Sequence, residues 1–495
     1  MQAQCWLQVT SGSQSSGGGL HCLGIQSDGT LWAWGLNDQG QLGDGTTTNR
    51  NTPTQIGTDT DWIDIATGPN DTSFAIKSDG TIWGWGSNPN SIIVSGSSTT
   101  TVSTPTQVGT DTDWVKMSVG GGHILAQKQD GTLWSWGGGA VLGVGGVPSV
   151  TNIPQQITTD TWKSFAAGFS RGYGVKSDGT LWAWGDNEYG QLGDNTTVDK
   201  LTPTQIGTAT NWQTIETGIY HSLALKTDGT LWFWGSRFNI YGTSTQNNIP
   251  TQIGTDTNWL KLTGGQHHCA AIKTDGTLWT WGENSTGQLG DGTTIYRTTP
   301  IQVGTATDWL DVSAGTRYTI ATKNNLSLWS WGYNYSGQLG IGTSGNTSDV
   351  YIPTQVGTSL DSNKIYAGGY HALVINSDGF IRGTGSNVVG QIGDGTFVQR
   401  NTFTYISCYP SVLSNEDFIV KKIKVYPNPT NGILNFSFDK EISKVTIYNL
   451  VGQEVLSKSL NNNETSINVA DLAAGAYLVK VLFGNEVKTV KVVKN

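Results

Sequence analysis

The 495-residue chain holds 67 Gly and 21 Trp, but only 13% of it is charged, against a usual ~25%. Its formal net charge of -9 argues against a general nucleic-acid binder, which carries a basic face. The Gly has no collagen period, and no apolar run approaches the ~18 residues that a membrane-spanning helix needs.

The N-terminal MQAQCW has neither the basic region nor the apolar stretch of an export signal. From Cys5 to about Ser407 one unit repeats eight times. Its clearest phrase is SDGTLWAWG at Ser27–Gly35. It returns from Ser78, Asp130, Asp178, Asp228 and Asp275, weakens to NLSLWSWG from Asn325, and decays to DGFIRGTG from Asp378. A Trp-headed segment (WQTIETG from Trp212) and an apolar stretch (HSLALK from His221) precede the phrase. A Gly-rich loop and a Pro-led segment (TPTQIG from Thr202) follow it. Units one to seven each hold three Trp, which accounts for all 21, so Trp is used here for packing.

LALKTDGTLWFWG is two short apolar runs joined by Asp-Gly, a strong hairpin signal. The Trp-headed and Pro-led segments supply two more strands, and four short strands in ~50 residues describe a propeller blade. Side chains alternate, so Trp32 and Trp34 share one face while Leu31 and Ala33 share the other. Both faces are apolar, which places these strands between neighbouring blades.

The pattern G-x-x-H-x-x-A-L, DG-x-LWxWG-x-N, GQLGDGT and Pro resembles the regulator-of-chromosome-condensation (RCC1-like) repeat. The best-formed loops are Asn37–Thr46, Asn187–Thr196 and Asn284–Thr293, with Asn334–Thr343 and Asn387–Thr396 close. The resemblance implies an all-β propeller, usually of seven blades, over residues 1–410. Eight units predict eight blades; the alternative is seven, with the Trp-less eighth unit as a cap. Cys5 precedes the first Trp and Cys408 follows the last Pro-led segment. Closing the ring would bring the two together, so a disulfide clasp is expected between them. Cys22 and Cys269 occupy a shared frame position and read as small buried side chains.

Five of six His also share one frame position: His21, His123, His221, His268 and His371. No metal-ligand spacing occurs within a unit, so packing is the reading and no metal or other cofactor is expected. The repeated Asp of the DGT turns and of the GQLGDGT loops reads as turn chemistry. No GxSxG, HExxH or P-loop is present, and no catalytic residue is assigned. Units two, three and five lose the GQLGDGT loop and carry instead Ser87–Ser98, Gly138–Ser149 and Ser236–Gln246. Asn88, Ile92, Ile93, Val141, Arg237, Phe238 and Tyr241 in these loops are the candidate binding residues, because loops on a rigid scaffold are common binding surfaces.

After Pro410 the composition changes. The remainder has no Trp and carries ten Lys against eight carboxylates, which leaves 18 cations and 29 carboxylates on the propeller. Residues 411–422 read as a linker. Alternating apolar runs and Asn/Gly turns over 423–495 predict a small immunoglobulin-like β-sandwich. YPNPTNG, with Pro427, Asn428, Pro429 and Gly432, the turn at Gly475 and Tyr477, and a final strand bearing Lys488, Lys491 and Lys494 resemble the type A C-terminal sorting domain of the type IX secretion system. That resemblance implies interaction with the type IX secretion machinery and export by a Bacteroidota-type bacterium, with removal of the domain and release or attachment to surface lipopolysaccharide. The expected function is thus a secreted or cell-surface, non-enzymatic binding protein, contacting a protein or glycan through its loops, with no nucleic-acid partner and no membrane insertion. The alternatives are a polysaccharide hydrolase or lyase with carboxylates or His at the propeller mouth, and a passive surface coat.

Overall fold

The computed structural model describes residues 6–12, 20–88, 91–94, 100–138, 141–145, 150–218, 221–236, 246–357, 361–406, 424–437, 442–449, 453–460, 465–483 and 486–495. Two compact units divide the chain, residues 1–411 and 412–495. The expected linker and both Cys5 and Cys408 lie outside the described residues.

The first unit is a ring of eight four-stranded antiparallel blades, over residues 6–55, 62–107, 114–157, 162–205, 212–252, 259–302, 309–355 and 364–406. In blade 1 the strands are Trp6–Ser11, His21–Gln26, Leu31–Gly35 and Arg50–Gln55, paired in chain order. The Trp-less eighth unit forms the same four-stranded sheet from Lys364–Ala367, His371–Ile375, Ile381–Gly385 and Arg400–Ile406, so eight blades are present rather than seven and a cap.

Blades 3 and 4 share one 18-residue strand, Val150–Ala167, which joins them into a seven-stranded sheet. The cause is local. Elsewhere a Gly with positive φ ends the Pro-led segment, such as Gly57 at +68° or Gly207 at +64°. Unit three has Thr158 there, which does not favour that conformation, so the chain runs straight on.

The Trp heads pack edge-on against the Trp pair of their own blade. Trp212 meets Trp232 at 5.5 Å and Trp234 at 6.2 Å, and Trp309 meets Trp329 and Trp331 at 6.0 Å. Such pairs contribute roughly 0.5–1.5 kcal/mol each beyond the area they bury. The second Trp of each pair faces the preceding blade and is buried, fully so in Trp34, Trp85, Trp136, Trp184, Trp234 and Trp331.

The ring closes without strand exchange, through the contacts used at internal seams. The indole N–H of Trp34 donates to the carbonyl of Gln391 (3.1 Å), the Gly395 amide donates to Asn51 O (2.7 Å), and the Trp6 amide donates to Gly379 O (2.9 Å). Internal counterparts are Trp85 to Gln41 O (2.9 Å), Gly45 to Ser103 O (2.8 Å) and Trp62 to Gly29 O (3.2 Å).

The second unit is two facing sheets. Lys424–Tyr426, Ile433–Ser437 and Ser466–Asn468 make one; Glu454–Ser459, Lys444–Asn449, Gly475–Phe483 and Glu486–Lys494 make the other. Leu434, Phe436 and Ile467 from the first meet Val445, Ile447, Val479, Val481 and Val492 from the second in one core.

Candidate functional site

Strand direction places the functional geometry. His21 pairs with Gly35 and Gly35 with Arg50, so the turn before the second strand and the Gly-rich loop after the third open on one face. The Asp-Gly turns lie on the other. The loop-bearing face has an axial well of about 140 Å³, lined by the ends of the first strands of blades 2–8, including Gly120, Gly168, Gly218, Gly265, Gly315 and Gly368. First strands are therefore innermost. Among the described residues, no carboxylate, imidazole or thiol lines this well.

The consensus loops are clasps. In blade 1, Asn37 Nδ2 donates to Asp44 Oδ1 (3.1 Å), Thr46 O (3.1 Å) and Thr48 O (3.0 Å), while its Oδ1 accepts from the Leu42 amide (2.9 Å). Burial alone would raise the Asp44 carboxyl, but bonds from Thr46 and Arg50 outweigh it and lower the pKa. The same Asn–Asp–Thr set recurs at Asn187, Asn284 and Asn387. The loops of blades 1 and 6 then offer a carbonyl, Gln41 O or Gln288 O, to the Trp and the hydroxyl of the next blade.

The replaced loop of blade 2 keeps this skeleton, and three of the expected binding residues are corrected by it. Asn88 Oδ1 accepts from the Ile93 amide (3.0 Å), as Asn37 does from Leu42, and Ile92 O accepts from the Trp136 indole (2.9 Å), as Gln41 O does from Trp85. Asn88, Ile92 and Ile93 are 2%, 3% and 2% exposed. They replace consensus packing and present no side chain to a ligand. Val141 is half-buried, beside a fully buried Leu142 that stands where Leu42 does. Arg237, Phe238 and Tyr241 lie outside the described residues.

The frame histidines are buried, and four of the five link blades. His21 Nε2 lies 3.0 Å from Ser73 Oγ, His268 Nε2 2.9 Å from Thr319 Oγ1, His221 Nε2 3.4 Å from Cys269 Sγ, and His371 Nε2 3.7 Å from Cys22 Sγ. Each reaches the residue one position later in the next blade, and the His371–Cys22 contact closes the ring. Burial lowers the imidazole pKa to about 4 for His21, His123 and His371 and to about 3 for His221 and His268. Burial raises both thiols, so Cys22 and Cys269 are protonated and inert. Among the described residues no group of His, Cys, Asp or Glu is arranged to hold a metal ion.

Sequence reasoning passed over the positions beside this frame. The residue before the frame histidine points to the open face and is Leu20, Asp71, Gly122 and Ser170 in blades 1–4, but His267, Arg317 and Tyr370 in blades 6–8. Backbone bonds set each of these beside the first residue after the Trp pair: Glu283 N to His267 O (2.9 Å), Tyr333 N to Arg317 O (2.9 Å) and Ser386 N to Tyr370 O (2.8 Å). Tyr333 lies 6.3 Å from Tyr335, nearly parallel at 12°, and 6.3 Å from Tyr370 at 61°. A comparison of each frame position's neighbours across the eight units would have exposed this cluster.

In the C-terminal unit the expected sorting residues converge. Asn428 Oδ1 accepts from the Val493 amide (2.9 Å), the Thr430 amide donates to Val493 O (2.8 Å), and the Asn495 amide donates to Thr430 O (3.0 Å). The turn holding Pro427, Pro429 and Gly432 is thereby tied to the final strand, whose Lys488, Lys491 and Lys494 pair with Val481, Leu478 and Gly475. Tyr477 Oη donates to Ala473 O (2.8 Å) and braces the turn before its strand.

The RCC1-like domain family matches residues 3–307, the regulator of chromosome condensation (RCC1) repeat matches 327–375, and the secretion system C-terminal sorting domain matches 424–495. The first covers more than half of the chain, which belongs to the RCC1-like domain family. The chain is similar to the regulators of chromosome condensation of Mus musculus and Homo sapiens, 28% identical over 141 residues, which are 28% of this chain and 33% of each relative. The matched segment thus spans about a third of those relatives. Among solved structures, human WBSCR16 superposes with a TM-score of 0.56 at 20% identity, covering 70% of this chain and 100% of that one. Prp20p of Saccharomyces cerevisiae gives 0.55 at 18% identity, covering 74% and 91%. These show the fold. The sorting domain implies export to the cell surface or beyond, through the type IX secretion machinery.

Proposed function

We propose that this chain is a secreted or surface-attached, non-enzymatic binding protein of a Bacteroidota-type bacterium. The propeller is the binding module, meeting a protein or glycan partner with its loop-bearing face, and the C-terminal unit is the export address. One observation carries this reading: the repeat fixes the seams, yet positions on the open face differ from blade to blade around the axial well. A scaffold that holds varied side chains at fixed places on one face is built as a recognition surface. Val141, and Arg237, Phe238 and Tyr241 in the fifth loop, belong to the sequence segments assigned to that face. The solved yeast relatives, one bound to Kap60 and one described by its binding to Gsp1p and histones, support a binding use of the fold.

The test immobilises the full chain and passes envelope and environmental extracts over it. A second column carries a variant with loops two, three and five set to the consensus. Retained protein or polysaccharide that the variant releases supports the reading. No retention by either column, or release of shortened polysaccharide, overturns it.

A further inference from the structure

We propose that the strip formed by Glu283, His267, Arg317, Tyr333, Tyr370 and Tyr335 on blades 6–8 is a carbohydrate-binding site for a neutral polysaccharide. It deepens the binding reading above by naming a site and a ligand class.

The strip borders the axial well, because Gln266, Thr316 and Gly368 in the well's lining adjoin or lie near His267, Arg317 and Tyr370 in sequence. The scaffold does not require these side chains: blades 1–4 place Leu, Asp, Gly or Ser there and form the same backbone bonds. Tyr335 and Tyr370 are 50% and 40% exposed, large for aromatic rings in a chain that buries its Trp. Tyr333 and Tyr335 offer two near-parallel rings, and Tyr370 stands up at 61° as a wall across the blade seam. A pyranose ring has one face of C–H bonds and an edge of hydroxyls. Tyr rings fit the first at low entropic cost, since each has few torsions to fix, and their hydroxyls serve the second.

The polar flank fits the same ligand. Glu283 is 7% exposed, and its Oε2 has no hydrogen-bond partner among the described residues, while its Oε1 accepts from Ser285 (2.8 Å). A buried acceptor without a donor is costly, and a sugar hydroxyl would satisfy it. Arg317 makes no salt bridge among the described residues and acts electrostatically on both His267 and Tyr333. Asp349 also acts electrostatically on Tyr333, with one oxygen accepting from the Asn334 amide (2.9 Å).

Two features decide the class. A protein hot spot has a desolvated apolar centre, and this strip contains no aliphatic side chain. A polyanionic glycan would meet a propeller carrying 18 cations and 29 carboxylates, which repels it at long range. A neutral polyhydroxylated chain avoids both penalties.

The experiment is affinity electrophoresis of the full chain in gels containing laminarin, arabinoxylan, galactomannan, soluble starch or polygalacturonate. Tyr333→Ala, Tyr335→Ala, Tyr370→Ala and Glu283→Gln are run beside the unaltered protein, with Leu260→Ala, on an exposed residue at the far end of a first strand, as control. Unfolding midpoints verify that each variant is folded; Tyr335→Ala, at the most exposed ring, removes the least packing. The expected result is retardation by at least one neutral polysaccharide, weakened about tenfold or more by each Tyr change and unaffected by Leu260→Ala. No retardation by any neutral polysaccharide, binding of polygalacturonate alone, or retardation indifferent to the Tyr changes overturns the proposal. If the immobilised chain still retains a partner that the Tyr changes do not release, the site assignment fails and the binding reading stands. If it retains nothing, both fail.

Discussion

The seams between blades and the strip on the open face lie one residue apart along the chain, yet they obey opposite rules. At the seam, His21 and its equivalents are buried and repeated in five of eight units, and four of the five bond to the next blade. One position earlier, the side chain is Leu, Asp, Gly, Ser, His, Arg or Tyr, and the recurring contact is made by its backbone carbonyl. In a repeat protein each unit contacts mainly its neighbours, so recurrence of a residue marks a neighbour contact and its loss marks freedom from one. The broken loop of blade 2 shows the limit of this rule: its sequence departs, but Asn88, Ile92 and Ile93 still make the seam.

Acid breaks the seam most strongly. The frame histidines are held neutral, with folded pKa values of about 3 to 4 against an unfolded value near 6.5. Between these limits the unfolded chain binds more protons, so stability is full above about pH 6.5 and falls as the pH drops towards 4. Each histidine contributes roughly 1.4 kcal/mol per pH unit in that window. Denaturant midpoints at pH 7.5, 6 and 5 should decline steeply, and a flat series would show that these imidazoles are not neutral and buried.

Two glycine changes sharpen the comparison next. A Cβ on Gly393 would lie 2.9 Å from Trp34 at the ring-closing seam, with φ at +81°, whereas one on Gly57, at +68°, would meet nothing within 4 Å. Gly393→Ala should cost roughly 2–4 kcal/mol, from left-handed strain plus overpacking, and Gly57→Ala about 1–2 kcal/mol from strain alone. Equal shifts in thermal midpoint would mean that the closure seam yields freely. Asn88→Ala should destabilise by about 1–3 kcal/mol, as Asn37→Ala does, since each orphans the amide of a buried residue. A silent Asn88→Ala would return that loop to the list of binding candidates.

The smallest expected effect lies on the strip. Tyr335→Ala and Tyr370→Ala should change stability by no more than about 0.5 kcal/mol, because both side chains are exposed. A larger loss in either would make the tyrosines part of the packing and weaken the contrast.

Much of the fold was legible because its causes are local. Asp-Gly turns, the alternation of LWAWG and the Trp heads are read within a few residues, and eight units built on this frame, the last without Trp, meant eight blades. The run of Val150–Ala167 through two blades was legible too, in the Thr158 that stands in place of Gly, although only the sheet pairing drew attention to it. The candidate site was less legible. Apolar residues in a polar loop suggested exposure at Ile92 and Ile93, but a loop residue's burial depends on the neighbouring blade, about 50 residues away in sequence.

The sequence by itself determined the repeat, the blade, the all-β class and the C-terminal sorting domain, because hairpin and strand signals act between near neighbours. Only the tertiary structure decided which partner each histidine meets, which loop carbonyl takes each Trp indole, and that residues from 267 to 370 form one strip. Those outcomes depend on the angle and spacing at which separate blades meet, and such long-range geometry is written in no single stretch of chain.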